Sequence, residues 1–285
     1  MKAMIPTLPF PNALVETRHG WMVVNTCDQY VARSLLEYGE YNEQEWDVIA
    51  QLYARPGCIV EVGANMGSHS VAMARKAAQE GREFIAYEPQ PAMFQLLCAN
   101  LALNGLVYAR ALPYACASRS GVVSFEPLDY HQIDNNFGGV SMAWEHGNVG
   151  MIDVPCVTLD EQLAGKTVGL IKIDVEGFEE EVLRGATKLI ADSRPLIYLE
   201  NDRSDKSESL QRCIQSLGYD AYWSMPPLFN EDNFRGKKDN IFGRVVSLNM
   251  LCVPAELGIA VHGFAPAPDP TFHPVSEPID PQPLP

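Results

Sequence analysis

The stretch Cys58-Ile59-Val60-Glu61-Val62-Gly63-Ala64-Asn65-Met66-Gly67-Ser68-His69-Ser70 decides which fold this 285-residue chain can adopt. An apolar run ends at an acid, and a turn with two glycines then leads into residues typical of the first turn of a helix. A strand, a turn and a helix in this order direct backbone N–H groups toward a ligand beyond the carboxyl end of the strand. Gly63 and Gly67 would let a ligand and the helix approach the backbone closely, because they carry no Cβ. The stretch predicts a ligand site on a parallel sheet.

A second acid indicates the kind of ligand. Glu88 follows the next apolar run, which spans residues 84–87, about twenty residues after the turn. An acid at this position can accept hydrogen bonds from both hydroxyls of a ribose. The two acids together favour a nucleoside-containing cofactor over an ordinary turn between a strand and a helix.

The turn favours S-adenosylmethionine over a dinucleotide. Dinucleotide-binding turns read G-x-G-x-x-G, because the middle glycine admits a pyrophosphate. Here the turn reads Gly63-Ala64-Asn65-Met66-Gly67 and lacks that glycine. Glu61 also places a carboxylate at the mouth of the turn, where it would repel a pyrophosphate and attract the ammonium and sulfonium groups of S-adenosylmethionine.

Composition narrows the classes of function. With 47% hydrophobic and 20% charged residues the chain can build a sizeable core, and its net charge of −15 makes a nucleic-acid substrate unexpected, because an acidic surface repels phosphates. The seven cysteines form no C-x-x-C pair, which favours reduced thiols in a cytoplasmic protein over disulfides or a zinc site. No signal peptide is expected after a proline-broken start, and no apolar run is long enough to span a membrane.

The order of apolar and helical patterns predicts an α/β fold with helices on both faces of a mostly parallel sheet. Alternating strands and helices are expected at 58–62, 68–79, 83–88, 90–103 and 107–112, and a helix is expected from Phe178 to Ile190. Three parts are predicted: an N-terminal extension with cap helices over 1–56, a cofactor-binding domain over 57–254 and a proline-rich tail with few anchors over 255–285.

Two details of the flanking segments are also predicted. Residues 1–20 contain prolines and are interpreted as a loose lead-in, while Asn42 and Glu45 resemble a helix N-cap and its capping-box partner. Residues 127–150 are polar and glycine-containing and lie between two predicted strands. Long loops of this kind often cover an active site, so a lid is favoured over a surface excursion.

Four acids end predicted core strands, namely Glu61, Glu88, Asp174 and Glu200. Because ligands bind beyond the carboxyl ends of parallel strands, the first two are assigned to the cofactor and the last two to the pocket floor. The alternative is that some of them cap the following helix, and that Asp174 only pairs with Lys172 on the same strand. His69 is either a general base or a solvated helix residue. No metal motif is recognised, although Asp174 with Glu200 could hold a divalent cation.

Several motifs resemble those of the FkbM-type methyltransferases that use S-adenosylmethionine. The matching segments are Val60 to Gly67, Tyr87-Glu88-Pro89, Asn100 with Asn104, Thr158-Leu159-Asp160, Ile171 to Glu179, and Gly185-Ala186. The resemblance runs from about Gly20 to Pro254, and the Lys-Ile-Asp-Val-Glu-Gly string is its most specific part. Two departures are Glu61, where the family more often has Asp, and His69, where an aromatic residue is frequent.

The resemblance implies a class I, Rossmann-like fold with a seven-stranded sheet whose last strand is antiparallel. It implies O-methylation of a hydroxyl on a sugar, glycan or natural product, with a small-molecule or glycan acceptor. The base that takes the hydroxyl proton is expected to be Asp174, Glu200 or His69, in that order. Two other functions stay open, an NAD-dependent oxidoreductase and a catalytically silent module that binds S-adenosylmethionine. The residues expected to contact the cofactor are Glu61, Gly63, Ala64, Asn65, Gly67, Ser68, Glu88, Pro89 and Asp174.

Overall fold

The computed structural model describes residues 7–144, 147–259 and 261–275, and these residues build one large sheet, two small sheets and eight α-helices. The strands of the large sheet are β3 (Cys58–Val62), β4 (Phe84–Tyr87), β5 (Arg110–Leu112), β9 (Val168–Ile173), β10 (Leu196–Glu200), β11 (Tyr219–Ser224), β12 (Asn249–Pro254) and β13 (Ala265–Pro266). The small sheets consist of β1 (Asn12–Thr17) with β2 (Gly20–Asn25), and of β6 (Ala115–Cys116), β7 (Gly121–Phe125) and β8 (Ile152–Val157).

The helices follow the strands as the alternating pattern predicts. They are α1 (Val31–Tyr38), α2 (Glu43–Gln51), α3 (Ser70–Gln79), α4 (Pro91–Leu103), α5 (Leu159–Gln162), α6 (Glu179–Arg184), α7 (Thr187–Ser193) and α8 (Ser204–Ser216). Two short 3₁₀ segments lie at Leu52–Ala54 and Ala255–Leu257. No helix among the residues described is long and apolar enough to cross a membrane.

The large sheet has the strand order β5-β4-β3-β9-β10-β12-β11-β13. Strands β5, β4, β3, β9 and β10 are parallel, and β12, the last of the seven main strands along the chain, is antiparallel to both of its neighbours. The predicted seven-stranded sheet with an antiparallel last strand is confirmed, and the two-residue strand β13 adds an eighth at one edge. This order puts the carboxyl ends of β3, β4, β9 and β10 side by side.

The central strands are covered by helices on both faces, which explains their continuous apolar sequences. All residues of β3, β4 and β9 are buried, including Glu61 and Lys172, whose side chains therefore need partners inside the protein. One large apolar cluster packs on each face of the sheet. Glu61 and Lys172 thus form a charged pair on two adjacent, fully buried strands.

The N-terminal part is more ordered than the sequence suggests. Strands β1 and β2 form an antiparallel hairpin, so the prediction of a loose lead-in over 1–20 is wrong for residues 12–20, while residues 1–6 lie outside the described part. The Asn100 side chain holds the hairpin to the core, accepting from the Val23 N–H at 2.6 Å and donating to the Val23 carbonyl at 3.0 Å. Met22 and Val24 are buried in a third apolar cluster with residues of α1.

The predicted helix from Phe178 to Ile190 is two helices. It breaks between α6 and α7 because the chain passes very close to another segment at Gly185. A Cβ on this glycine would lie 2.0 Å from the Ala117 carbonyl oxygen. Only a residue without a side chain fits there, and the close approach interrupts the helix.

The described part of the C-terminal tail has several anchors. Strand β13 pairs with β11 at Tyr222 and Trp223, and Gln211 of α8 donates to the Pro270 and Phe272 carbonyls at 3.2 and 2.9 Å. The expectation of few anchors is therefore wrong for residues 261–275. Residue 260 and residues 276–285 lie outside the described part of the chain.

Candidate functional site

The turn after β3 satisfies most of its own hydrogen bonds. The Gly63 and Ala64 N–H groups donate to the Tyr87 carbonyl at 3.0 Å, and the Asn65 N–H donates to Glu88 Oε2 at 2.7 Å. The expectation that the turn offers free N–H groups is wrong for these three residues, because the neighbouring strand takes them. A ligand at this edge of the sheet meets side chains rather than a row of amides.

The two glycines of the turn are required by packing within the protein. Both have positive φ, 84° at Gly63 and 88° at Gly67. A Cβ on Gly63 would lie 1.8 Å from the Asp174 carbonyl oxygen, and one on Gly67 would lie 2.9 Å from Leu97 Cδ1. Gly63 lines the cleft above the sheet, whereas Gly67 is the one predicted cofactor residue that does not.

Three charged side chains from adjacent strands meet at the floor of this cleft. Glu61 lies opposite Lys172 in the register of β3 and β9, and Asp174 points to the same side two residues after Lys172. Lys172 Nζ lies 2.9 Å from Asp174 Oδ2, and Glu61 Oε2 accepts from Ser70 Oγ at 2.5 Å. The ion pair between Lys172 and Asp174 is thus present, yet the Asp174 side chain is 38% exposed and faces the cleft.

Burial and neighbouring charges shift the pKa values of Glu61 and Lys172. It raises the pKa of Glu61 to about 7, although Lys172 and the Ser70 hydrogen bond act in the opposite direction. Burial also lowers the pKa of Lys172, but Asp174, Glu45 and Glu61 outweigh it and raise that pKa above its usual value. Lys172 is therefore a permanent cation beside Glu61, whose carboxylate readily takes up a proton.

Glu88 lies at the same edge and is fixed by two backbone donors. Its Oε2 accepts from the Asn65 N–H at 2.7 Å and its Oε1 from the Gln90 N–H at 2.8 Å. The residue is 3% exposed, and burial raises its pKa to about 7 against the effect of these two hydrogen bonds. Glu88 lines the cleft with both carboxylate oxygens held in a defined orientation.

The opposite side of the cleft is formed by residues of the N-terminal extension, here called the N-terminal wall: Tyr30, Val31, Tyr41 and Glu45. Glu45 does not close a capping box, because Asn42 has a left-handed backbone (φ 46°) and its side chain makes no cap hydrogen bond. Instead, Asn42 Nδ2 donates to Glu45 Oε2 at 2.5 Å. Glu45 Oε1 lies 3.8 Å from Lys172 Nζ and 3.8 Å from His69 Nδ1.

His69 precedes α3 and is 6% exposed, so the alternative of a solvated helix residue is wrong. Burial lowers its pKa to about 3, and Lys172 adds to this effect, so the imidazole is neutral at pH 7. Its Nε2 atom is buried and has no hydrogen-bond partner, and neither does Oε1 of Glu45. Both residues line the cleft.

Three carboxylates converge at the far end of the cleft. Asp174, Glu176 and Glu200 each place an oxygen within 4.8 Å of the other two. Burial raises the pKa of Glu200 well above its usual value, and Asp174 and Glu176 add to it, while Glu200 Oε2 has no hydrogen-bond partner. Glu176 has a positive φ of 56° and pairs with Arg203. This spacing suits a shared proton or a cation.

The segment over 127–150 lies across the cleft, as the lid prediction requires, and residues 145–146 of it lie outside the described part. Asn136, Gly138, Val140 and Met142 line the cleft. The segment is attached at its centre, because the Phe137 N–H donates to Asp28 Oδ1 at 3.2 Å and the Phe137 carbonyl accepts from Gln90 Nε2 at 2.8 Å. Its opening and closing stay a prediction.

The cleft above the strand ends is bounded by residues of the sheet, of the N-terminal wall and of the 127–150 segment. Among the described residues, six carboxylates and a single lysine line it: Glu45, Glu61, Glu88, Asp174, Glu176, Glu200 and Lys172. Such a surplus of acceptors and negative charge suits a ligand that brings positive charge and hydroxyl donors. It does not suit a pyrophosphate.

The sequence located most of the sheet side of this site and missed the N-terminal side. All predicted residues except Gly67 line the cleft, including Ala64, Asn65, Ser68 and Pro89. Glu45 was missed because its spacing from Asn42 also fits a helix cap. Glu176 belongs to the quoted Lys-Ile-Asp-Val-Glu-Gly string, which was the only signal for it.

Sheet order and site together define the class of protein. A seven-stranded sheet with an antiparallel last strand, carrying acids after its first two core strands, is the arrangement of class I methyltransferases. The model of the methyltransferase FkbM domain matches residues 61–221, more than half of the chain. The chain belongs to the FkbM methyltransferase family. This confirms the predicted fold class and family, and at the level of the family it confirms methyl transfer from S-adenosylmethionine.

Curated relatives agree with this family. The hexuronic acid methyltransferase AglP of Haloferax volcanii is 32% identical over 167 residues, which cover 57% of this chain and 58% of that protein. Methyltransferase sdnD of Sordaria araneosa is 31% identical over 165 residues, 48% of this chain and 62% of that protein. The chain thus spans about three fifths of the length of these relatives. The crystal structure of an FkbM methyltransferase from Methylobacillus flagellatus has 16% identity and a TM-score of 0.43, over 68% of this chain and 43% of that one.

Proposed function

We propose that this protein transfers a methyl group from S-adenosylmethionine to a hydroxyl of a sugar, glycan or related natural product. The observation that carries the proposal is the acid-lined cleft at the carboxyl ends of β3, β4, β9 and β10, in a chain of the FkbM family. A relative named for hexuronic acid methylation supports a sugar acceptor.

The proposal assigns roles to the acids of the cleft. Glu88 takes the ribose hydroxyls, and Glu61 with Asp174 supplies negative charge for the ammonium and sulfonium groups. Ala64, Asn65, Ser68 and Pro89 line the remainder of the cofactor site. Burying several carboxylates beside one lysine is costly without a further cation, and a bound cofactor with two positive groups offsets that cost.

S-adenosylmethionine supplies an already activated methyl group, so the protein has to orient the acceptor and receive its proton. As the acceptor oxygen–carbon bond forms and the carbon–sulfur bond breaks, the hydroxyl proton passes to a carboxylate of the cleft. Asp174 is proposed first, because it is exposed to the cleft and ion-paired with Lys172. Glu200 follows, since its raised pKa suits proton uptake. His69 comes last, because a pKa near 3 makes it a weak base.

The NAD-dependent alternative is disfavoured by two observations. The Gly63 and Ala64 N–H groups, which a pyrophosphate would need, donate to the Tyr87 carbonyl. Glu61 and Glu88 add negative charge beside the same turn. A silent module remains the other alternative, and it predicts cofactor binding without turnover. The proposal includes a cytoplasmic setting, since all seven cysteine thiols are unpaired.

Calorimetry tests the cofactor assignment. Wild-type protein should bind one S-adenosylhomocysteine or S-adenosylmethionine, and Glu88→Ala should weaken this by more than about tenfold, as loss of hydrogen bonds to a charged group does. Glu83→Ala is the matched control, because Glu83 precedes the same strand at its other end and pairs with Lys166. Unchanged affinity in Glu88→Ala, or binding of NADH instead, would overturn the assignment. Labelled S-adenosylmethionine with hexuronic acids and cell-extract glycans then separates an enzyme from a silent module.

A further inference from the structure

Two buried polar atoms on the N-terminal side of the cleft have no hydrogen-bond partner, although Lys172 Nζ lies 3.8 Å from one of them. Glu45 Oε1 and His69 Nε2 are both buried atoms without a hydrogen bond, in residues that are only 3% and 6% exposed. Buried polar groups are normally hydrogen-bonded, and leaving one unpaired destabilises the folded protein. Two such atoms in neighbouring residues of one cleft indicate that a ligand group satisfies them.

Glu45 and His69 differ in charge, but each can form a hydrogen bond with a ligand hydroxyl. Burial raises the pKa of Glu45 to about 7, against the attraction of Lys172, so its carboxylate is an acceptor whenever it is ionised. His69 is neutral, its Nδ1 lies 3.8 Å from Glu45 Oε1, and the ring is hydrogen-bonded to the Asn42 backbone. That leaves Nε2 on the opposite side of the ring for a ligand. A carboxylate oxygen beside an imidazole nitrogen suits the hydroxyl groups of a polyol.

One member of the pair lies outside the family-matched region, whereas His69 directly follows the turn after β3. Glu45 lies on α2, outside the residues 61–221 that match the family model. It is held in place by Asn42 Nδ2 at 2.5 Å and by Asn249 Nδ2 at 3.3 Å, both bonding to Oε2. Oε1 is thereby left toward His69 and Lys172. The Tyr41 ring lies 5.8 Å from the His69 ring and lines the same part of the cleft.

We propose that Glu45 and His69 form a subsite for neighbouring hydroxyl groups of the methyl acceptor, and that the acceptor is therefore a polyhydroxylated compound that enters with a diol rather than a carboxylate. This rests on the proposed function, because it assigns the acceptor end of the same cleft. The acceptor is thus contacted by Glu45 of the N-terminal extension together with His69, which lies within the family-matched residues 61–221.

The test uses the full chain saturated with S-adenosylhomocysteine, with D-glucose and D-glucuronic acid as probes. Both sugars carry neighbouring hydroxyls, and only the second carries a carboxylate. The side-chain nitrogen resonances of His69, followed by NMR, should shift with either sugar. Glu45→Gln should weaken the sugar affinity about tenfold, as expected for a hydrogen bond to a charged group, and should leave the S-adenosylhomocysteine affinity within about twofold of wild type.

Glu43→Gln is the matched control, because Glu43 lies on the same helix and its carboxylate bonds to His19 at 2.9 and 3.0 Å instead of lining the cleft. It should bind sugar like wild type. The proposal is overturned if neither sugar shifts His69, if Glu45→Gln binds sugar normally, or if that variant loses cofactor affinity as strongly as sugar affinity. The His69 shift in the wild type decides the question even if Glu45→Gln does not fold.

The same experiment keeps the two proposals apart. Failure of the wild type to bind S-adenosylhomocysteine in calorimetry would end the proposed function. A His69 shift with sugar alone would still support the hydroxyl subsite in that case.

Discussion

The two sides of the cleft are built in different ways. The sheet side carries Glu61, Glu88, Asp174 and Glu200 at the ends of four strands that lie side by side in one sheet. The N-terminal wall carries Glu45 on a helix that reaches the cleft only because the β1–β2 hairpin and α1 pack against the core. The position of the sheet-side acids follows from the rule that parallel strands end at one edge of a sheet. The position of Glu45 depends on specific tertiary contacts. Strand order therefore places the sheet-side acids, whereas Glu45 reaches the cleft only through tertiary packing.

The largest expected effect concerns the sheet side. Asp174→Asn keeps the shape and removes the charge, so we expect at least about a hundredfold loss of methyl-transfer rate, as loss of a general base typically gives. The fold should hold, because Lys172 keeps Glu45 at 3.8 Å and the electrostatic attraction of Glu61. Rate measurement with labelled S-adenosylmethionine and a thermal melt check both parts. Early melting with normal turnover of the folded fraction would make Asp174 a structural residue.

The next effect tests how the β1–β2 hairpin is attached to the core. Asn100 is fully buried, bonds to both backbone groups of Val23 and donates to the Met66 carbonyl at 2.8 Å. Asn100→Ala should therefore lower the free energy of unfolding by about 2–4 kcal/mol, since several buried groups lose their partner. Urea unfolding measures this. Asn104→Ala is the comparison variant: it removes hydrogen bonds to the Trp21 and Asn100 carbonyls and one from Arg75, all part-buried, and should cost less. Equal losses in the two variants would contradict the special role of Asn100.

The pH dependence of cofactor binding gives an intermediate effect. Burial raises the pKa values of Glu61 and Glu88, the two buried acids assigned to the cofactor, to about 7, so both are largely protonated at pH 6 and ionised at pH 8. A cationic ligand binds the ionised form, and we expect its affinity to rise about tenfold over this interval. Calorimetry at pH 6, 7 and 8 checks it. Affinity that is flat or falls with pH would show that the ionised forms of Glu61 and Glu88 do not contact the cofactor.

Without ligand, the contribution of the buried glutamates to the free energy of unfolding should fall as the pH rises, opposite to the trend in cofactor affinity. In the folded state the pKa values of Glu45, Glu61 and Glu88 are raised from 4.5 to about 7. Their contribution to the free energy of unfolding is therefore complete below pH 4.5 and is lost as the pH rises through about 7. His69 has the opposite sign, because its pKa is lowered from 6.5 to about 3 and its contribution is lost as the pH falls between these values. Of these contributions, only those of Glu61 and Glu88 should disappear on saturation with cofactor.

The smallest effect is expected in the segment that covers both sides. If residues 129–148 act as a lid, their amide hydrogen exchange should slow when S-adenosylhomocysteine and an acceptor sugar bind together. The attachment of Phe137 to Asp28 and Gln90 should keep the change modest near residue 137. Peptides from α8 serve as the control. Equal exchange with and without ligands would make the segment a fixed wall.

The sequence by itself determined the sheet side of the protein. Alternating apolar runs and helical patterns predicted the parallel sheet. Acids at or just after the carboxyl ends of its buried strands had to meet at one edge, so Glu61, Glu88, Asp174 and Glu200 could be found from strand order alone. The tertiary structure decided what depends on contacts between distant segments. It turned Asn42 and Glu45 from a helix cap into part of the cleft, and it used the Gly63 and Ala64 amides for the next strand. It also broke a helix at Gly185 against Ala117. Local patterns carry periodicity and strand order, whereas the partner of a buried polar group is chosen only when the whole chain has packed.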